Sequence, residues 1–272
     1  MKARLLSAVL YLAASGLGAL TFLYPFFSPT GLDGIEQART SLTFTLLLVV
    51  CLLVLLYEVQ RQAANTRLIA LLGVLVAINA VLRFVEVAIP GPGGFSPIFF
   101  LILLTGYAYG GRFGFLMGAL TMFVSALVTG GIGPWLPSQM FTAGWAGMSA
   151  PILKPLVRSL RAEGTGLEIV LLAVFGALWG LLYGFIINLW TWPLIAGAQN
   201  SSWSPGSPFW GALQSYGLYY LFTSLIWDLA RGFGNAVFLL FFGQAALRVL
   251  RRFGKRFSFV YRPAGAGAAE IP

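Results

Sequence analysis

The sequence contains no histidine at all and one cysteine, and only 9% of its 272 residues are charged. Without histidine the chain lacks the usual general base, proton relay and commonest metal ligand. The lone Cys51 lies inside an apolar run, so a disulfide framework and a thiolate metal site are both excluded. Soluble domains average roughly 25% charged residues, so the charge deficit is itself a signal. No Gly-rich loop ending in Lys-Ser or Lys-Thr is present, and the chain is not expected to bind and hydrolyse ATP by that route. A Gly-x-Ser-x-Gly elbow, a His-Glu-x-x-His helix and an acidic pair with metal spacing are also missing. The chain is therefore expected to be neither an enzyme nor a metalloprotein, and to carry no cofactor.

What is abundant is apolar: 58% of the residues are hydrophobic, with 33 Gly, 8 Trp and 10 Tyr. A globule of this size must show water a polar coat, and this composition cannot supply one. Lipid removes that difficulty, and Gly-rich, Trp- and Tyr-anchored helices suit it. Eight apolar segments are read at 5–27, 41–57, 67–89, 97–110, 113–129, 138–153, 168–195 and 216–247. A spanning helix needs about 17–25 residues, so the fourth segment is short and the last two are long. The first begins like a signal peptide, with Lys2 and Arg4, but runs into Tyr24-Pro25-Phe26-Phe27 and is read as retained.

Eight crossings with both termini cytoplasmic put fourteen of the seventeen basic residues on the inner side, the Arg248–Arg262 cluster among them. The net charge of +9 is then an orienting bias near anionic lipid and not a nucleic-acid footprint. The polar break at Glu58–Arg67 divides the chain into an accessory two-helix hairpin (1–62), a six-helix unit (63–250) and a basic cytoplasmic tail (251–272). The predicted fold class is an all-α membrane protein.

Charged side chains within a bilayer cost several kcal/mol and require a partner or a wet cavity. Arg83 and Glu86 lie three residues apart, as do Asp228 and Arg231, with Asn235 a turn further along. That spacing places partners on one helical face. Two readings fit: the polar wall of a ligand pocket, or internal ion pairs that only orient helices. The loops at 91–97, 130–139 and 198–211 carry Gly, Pro, Trp and amides without a single charge, which suits a ring-bearing organic molecule better than an ion. Trp135, Gln139, Asn188 and Trp192 join the charged pairs as candidate substrate contacts. Asn79 and Gln244 are single polar residues in helices, read equally as interhelical glue. Small-residue ridges run along Ala70, Gly73, Ala77 and Ala80, along Gly114 and Gly118, and along Gly176, Gly180 and Gly184. They permit close helix approach, and the first is the candidate partner face.

Two stretches then resemble a known family. Leu104-Thr105-Gly106-Tyr107-Ala108-Tyr109-Gly110-Gly111-Arg112-Phe113-Gly114-Phe115 is one, and Thr129-Gly130-Gly131-Ile132-Gly133-Pro134-Trp135-Leu136-Pro137-Ser138-Gln139-Met140 with Gly144-Trp145-Ala146-Gly147 is the other. Together they are similar to the S-component, the substrate-binding membrane subunit, of energy-coupling factor (ECF) transporters, the bacterial vitamin importers. The resemblance covers about residues 65–250 and omits the first two helices. It implies a six-helix bundle in the cell membrane that captures a vitamin or related micronutrient from outside. It further implies a membrane coupling subunit and two cytoplasmic ATPases as partners, so that ATP is consumed by those subunits. The family's Ala-x-x-x-Ala docking face has Gly73-Val74-Leu75-Val76-Ala77 in its place here. The Gly-Pro-Trp-Leu-Pro stretch leans toward a corrinoid such as cobalamin as cargo. A self-sufficient secondary transporter, coupled to protons or sodium through Glu86, Asp228 and Arg231, is the rival reading.

Overall fold

The structure, a computed structural model, describes residues 66–88, 96–194, 201–203 and 207–256, together with residues 16, 18, 19 and 22. The remainder of the expected hairpin and the chain beyond Arg256 lie outside the described residues. All regular structure among the described residues is helical. Helices α1 (Thr66–Ala88), α2 (Ile98–Tyr109), α3 (Gly111–Thr129), α4 (Leu136–Ser149), α5 (Leu153–Ser159), α6 (Gly166–Thr191), α7 (Phe209–Thr223) and α8 (Leu225–Arg256) follow in order. Four of them (α1, α3, α6 and α8) are long and apolar enough to cross a membrane, and α2 is a shorter apolar helix.

Helix α2 is apolar on every side because it is surrounded. It packs on α1, α3, α4, α6 and α8, and Ile98, Phe99 and the whole run Ile102–Tyr107 are buried. A helix hydrophobic all round belongs in a bundle interior. It ends at Gly110, whose φ of +104° is one that L side chains rarely adopt, and the chain turns there directly into α3. The α3 ridge of Gly114 and Gly118 meets α4 at Gly147, Ala143 and Gly144 so closely that no Cβ fits. Gly106 of α2 meets the same Gly147, so three backbones converge on one point. The second ridge, Gly176, Gly180 and Gly184 of α6, receives Leu239, Gly232 and Asp228 of α8. Both ridges thus serve internal packing.

The outward faces of α1, α6 and α8 expose Val74, Val81, Leu178, Phe233 and Phe241, a surface suited to lipid and not to water. Asn79 donates to the Ile98 carbonyl (3.0 Å) and to Thr121 Oγ1 (3.2 Å), joining α1, α2 and α3, while its own Oδ1 is buried without a partner among the described residues. Of the first segment, Phe22 is buried against Trp145 and Trp190, and Gly18 lies against Phe141 and Trp145. Gly18 and Phe22 thus sit against α4 and α6.

Three expected boundaries are corrected. The segment 138–153 is not one spanning helix. Helix α4 has 14 residues, about 21 Å at 1.5 Å per residue, and ends in a 3₁₀ turn (Ala150–Ile152) that contains Pro151 and leads into α5. The segment 216–247 is divided at Ser224, where α7 stops and α8 starts. The basic tail begins later than residue 251, since α8 runs on to Arg256 and Arg251 is bonded into the bundle.

Candidate functional site

The C-terminal ends of α1, α3 and α6 lie at one end of the bundle, called here the loop end. Arg67, Arg112, Lys154 and Arg251 lie towards the opposite, basic end. Towards the loop end of α1, Arg83 donates from Nη1 to Glu86 Oε1 at 2.9 Å. The other Glu86 oxygen accepts from Ser96 Oγ at 2.6 Å, which ties α1 to the entry of α2. Across the bundle, the break at Ser224 places Asp228 in the first turn of α8. Ser224 Oγ donates to Asp228 Oδ2 at 2.7 Å, and Arg231 Nη1 donates to Asp228 Oδ1. Asp228 is 1% exposed, and it fits against α6 because position 184 has no side chain: a Cβ there would fall on the carboxylate. Arg231 Nη1 also reaches the Gly180 carbonyl at 3.4 Å.

The Asp228–Arg231 pair lies against Tyr183 of α6. The Arg231 guanidinium lies 5.3 Å from its ring centre, and Phe99 of α2 meets the ring edge-on at 4.8 Å. One turn deeper, Asn235 Nδ2 donates to the Gly176 carbonyl at 3.1 Å, while Oδ1 stays buried and has no partner among the described residues. Each carboxylate is thus paired with a guanidinium of its own helix and a serine hydroxyl. Charged groups are tolerated in a low-dielectric site only when they are paired and hydrogen-bonded.

A family model described as ECF transporter, substrate-specific component, matches residues 67–241, from the first turn of α1 well into α8. The chain belongs to that family. No match was found among curated proteins or among solved structures. As an S-component the chain is a substrate-binding membrane subunit that works with the other subunits of an ECF module, and it is not an enzyme.

Within this S-component Asp228, Arg231 and Asn235 of α8 all face α6, Arg83 and Glu86 pair on α1, and the other four candidates are distributed. Asn188 bonds back within its own helix, donating from Nδ2 to the carbonyl of Gly184, the residue beside Asp228, at 2.8 Å. Trp192 is buried in an aromatic group with Tyr216 and Tyr219, its indole N–H donating to the Ser201 carbonyl at 2.7 Å. Trp135 is 42% exposed at the start of α4, and its indole N–H donates to the Gly131 carbonyl at 3.2 Å. Gln139 is half-buried on the first turn of α4. On α1, Ala70, Gly73 and Ala77 are exposed, and a Cβ on Gly73 would meet open space. Ala80 is corrected: it is 3% exposed and faces the bundle beside Asn79, so it does not belong to the outward ridge.

Sequence reasoning missed three further groups. Tyr183 lies between Phe99 and Arg231, and its only signal was a hydroxyl amid apolar residues one position before a ridge glycine. Glu168 and Tyr107 were missed at the basic end. Glu168 is 1% exposed and accepts from Tyr107 Oη (2.6 Å), the Gly164 N–H (2.9 Å) and both terminal nitrogens of Arg251 (3.0 and 2.5 Å). The Lys154 ammonium sits 5.8 Å from the centre of the Tyr107 ring. Burial, with the Arg158 and Arg251 charges nearby, holds it below the usual lysine range.

Proposed function

We propose that this S-component captures a vitamin or related micronutrient from the outer side of a bacterial cell membrane at the loop end. It then passes the cargo inward with a membrane coupling subunit and two cytoplasmic ATPases. In this reading both termini are cytoplasmic, ATP is used by the partner subunits alone, and the chain needs no cofactor of its own. The observation that carries the reading is the buried Asp228–Arg231 pair seated against Tyr183, in a chain of this family. The corrinoid preference rests on the Gly133-Pro134-Trp135-Leu136-Pro137 stretch, and the exposed Trp135 ring supports it as a stacking surface. The outward Ala70, Gly73 and Ala77 face supports a docking role for α1.

The test is uptake of labelled cyanocobalamin, with riboflavin, thiamine and biotin run in parallel, into cells expressing this chain with or without the coupling subunit and ATPases. Uptake that requires the full module is the expected result. Equal uptake by this chain alone, abolished by a protonophore, favours the secondary-transport reading and contradicts this one.

A further inference from the structure

Helix α4 is buried along most of its length, and the chain changes character past the 3₁₀ turn that ends it. Ile152, Leu156 and Leu160 are exposed, Ile152 by 71%, and they recur at every fourth position. Lys154 and Arg158 also stand four apart on α5 and share a face. Two positions along a helix turn it by about 200°, so this cationic pair lies on the flank opposite Leu156 and Leu160. Between the flanks Val157, 1% exposed, seats the helix on the bundle. Arg161 follows in the turn, its N–H donating to the Arg158 carbonyl at 3.0 Å. Its φ of +50° is uncommon for a side chain of this size.

No acid answers these cations. Lys154, Arg158 and Arg161 form no ion pair among the described residues, not even with Glu163 of the same turn. Lys154 rests instead on the Tyr107 ring, whose hydroxyl is given to Glu168, and Glu168 is paired with Arg251.

The geometry points to α5 and its C-terminal turn as an interfacial element that recruits anionic phospholipid. Ile152, Leu156 and Leu160 lie in the acyl layer, and Lys154, Arg158 and Arg161 meet the headgroup phosphates. A protein docked on one flank would leave the other uncovered. A leaflet supplies an apolar layer and a charged layer side by side, as two opposite flanks require. Leu167, Val170 and Val174, exposed at the start of the spanning helix α6, bring acyl chains to this end of the bundle. The inference concerns the lipid and holds whatever the chain captures.

The experiment is native mass spectrometry of the full chain, delipidated in detergent and then offered equal amounts of palmitoyl-oleoyl phosphatidylglycerol and phosphatidylcholine. One variant combines Arg158→Gln with Arg161→Asn, since asparagine accepts a positive φ. The control combines Arg248→Gln with Arg252→Gln, which removes the same charge from α8 at the same end. Preferential retention of phosphatidylglycerol is expected. A basic residue near an anionic surface is worth about fivefold in affinity, so the preference should fall by at least about that factor in the α5 variant and persist in the control. No preference in wild type, or an equal loss in variant and control, overturns the inference. Wild-type preference in the α5 variant also overturns it, and simultaneous loss of the co-purifying coupling subunit then assigns the face to a protein. Should the double variant not elute as a folded species, Arg158→Gln alone, read in the same way, decides between these results.

Discussion

Replacing Glu168 by alanine removes one carboxylate and leaves three donors stranded. Tyr107 Oη, the Gly164 N–H and the Arg251 guanidinium all lose their acceptor at once. Breaking a buried ion pair by removing one partner costs about 3–5 kcal/mol. Arg251 is one-third exposed and can turn part of its guanidinium to water, which moves the expected loss to about 3 kcal/mol. At roughly 2–4 °C per kcal/mol for a chain of this size, the apparent melting midpoint falls by about 6–12 °C. Glu168→Gln keeps an acceptor of the same shape and should lose roughly half as much. The network joins α2, α6 and α8 at the basic end, whereas Gly184, beside Asp228, lies sixteen residues further along α6, about 24 Å away. Substrate affinity measured below the midpoint should therefore not change. The assay is fluorescence-detected thermal unfolding in detergent, paired with calorimetric binding. A midpoint within a degree of wild type in Glu168→Ala refutes the network as a stabilising clamp. A large loss of affinity in the folded variant refutes the separation of the two ends.

Three other perturbations probe different parts of the bundle. Asp228→Ala should abolish substrate binding while the chain still elutes as a single folded species, and normal affinity in that variant removes the case for the α8 charges. Gly73→Leu should leave binding intact, because a side chain there meets open space, yet prevent co-purification with the coupling subunit. Recovery of the whole complex with that variant contradicts α1 as the docking face. Gly147→Ala places a methyl group against the Gly114 backbone, which cannot yield, so a loss of about 1–3 kcal/mol or more is expected as lower yield and a lower midpoint. Wild-type stability there shows that the three-backbone convergence is looser than described.

The legible parts of the chain were those encoded by local spacing. Asp228 and Arg231, and Arg83 and Glu86, pair within their own helices, so a separation of three was sufficient to foresee both ion pairs. The ridge at 176, 180 and 184 was equally visible as small residues every fourth position, but not what it would receive. Asp228 is more than forty residues away, and only the crossing of α6 and α8 brings it to Gly184. The placement of Tyr183 between Phe99 and Arg231 was hidden for the same reason. So was the pairing of Glu168 with Arg251, 83 positions apart, whose basic partner looked like one more orienting charge in a cluster. The break at Ser224 fell inside a run apolar enough to read as one helix. Ala80 was misplaced because a small residue three positions from Ala77 looks like a continuation of a ridge, whereas the helix has by then turned it inward beside Asn79.

Native mass spectrometry of the full chain, purified from cells grown in rich medium and then offered a vitamin panel, tests the capture claim most directly. A single small-molecule adduct is predicted, tight enough to survive purification or re-formed from the panel. Wild-type protein that is folded and monodisperse yet remains empty under both conditions contradicts the account.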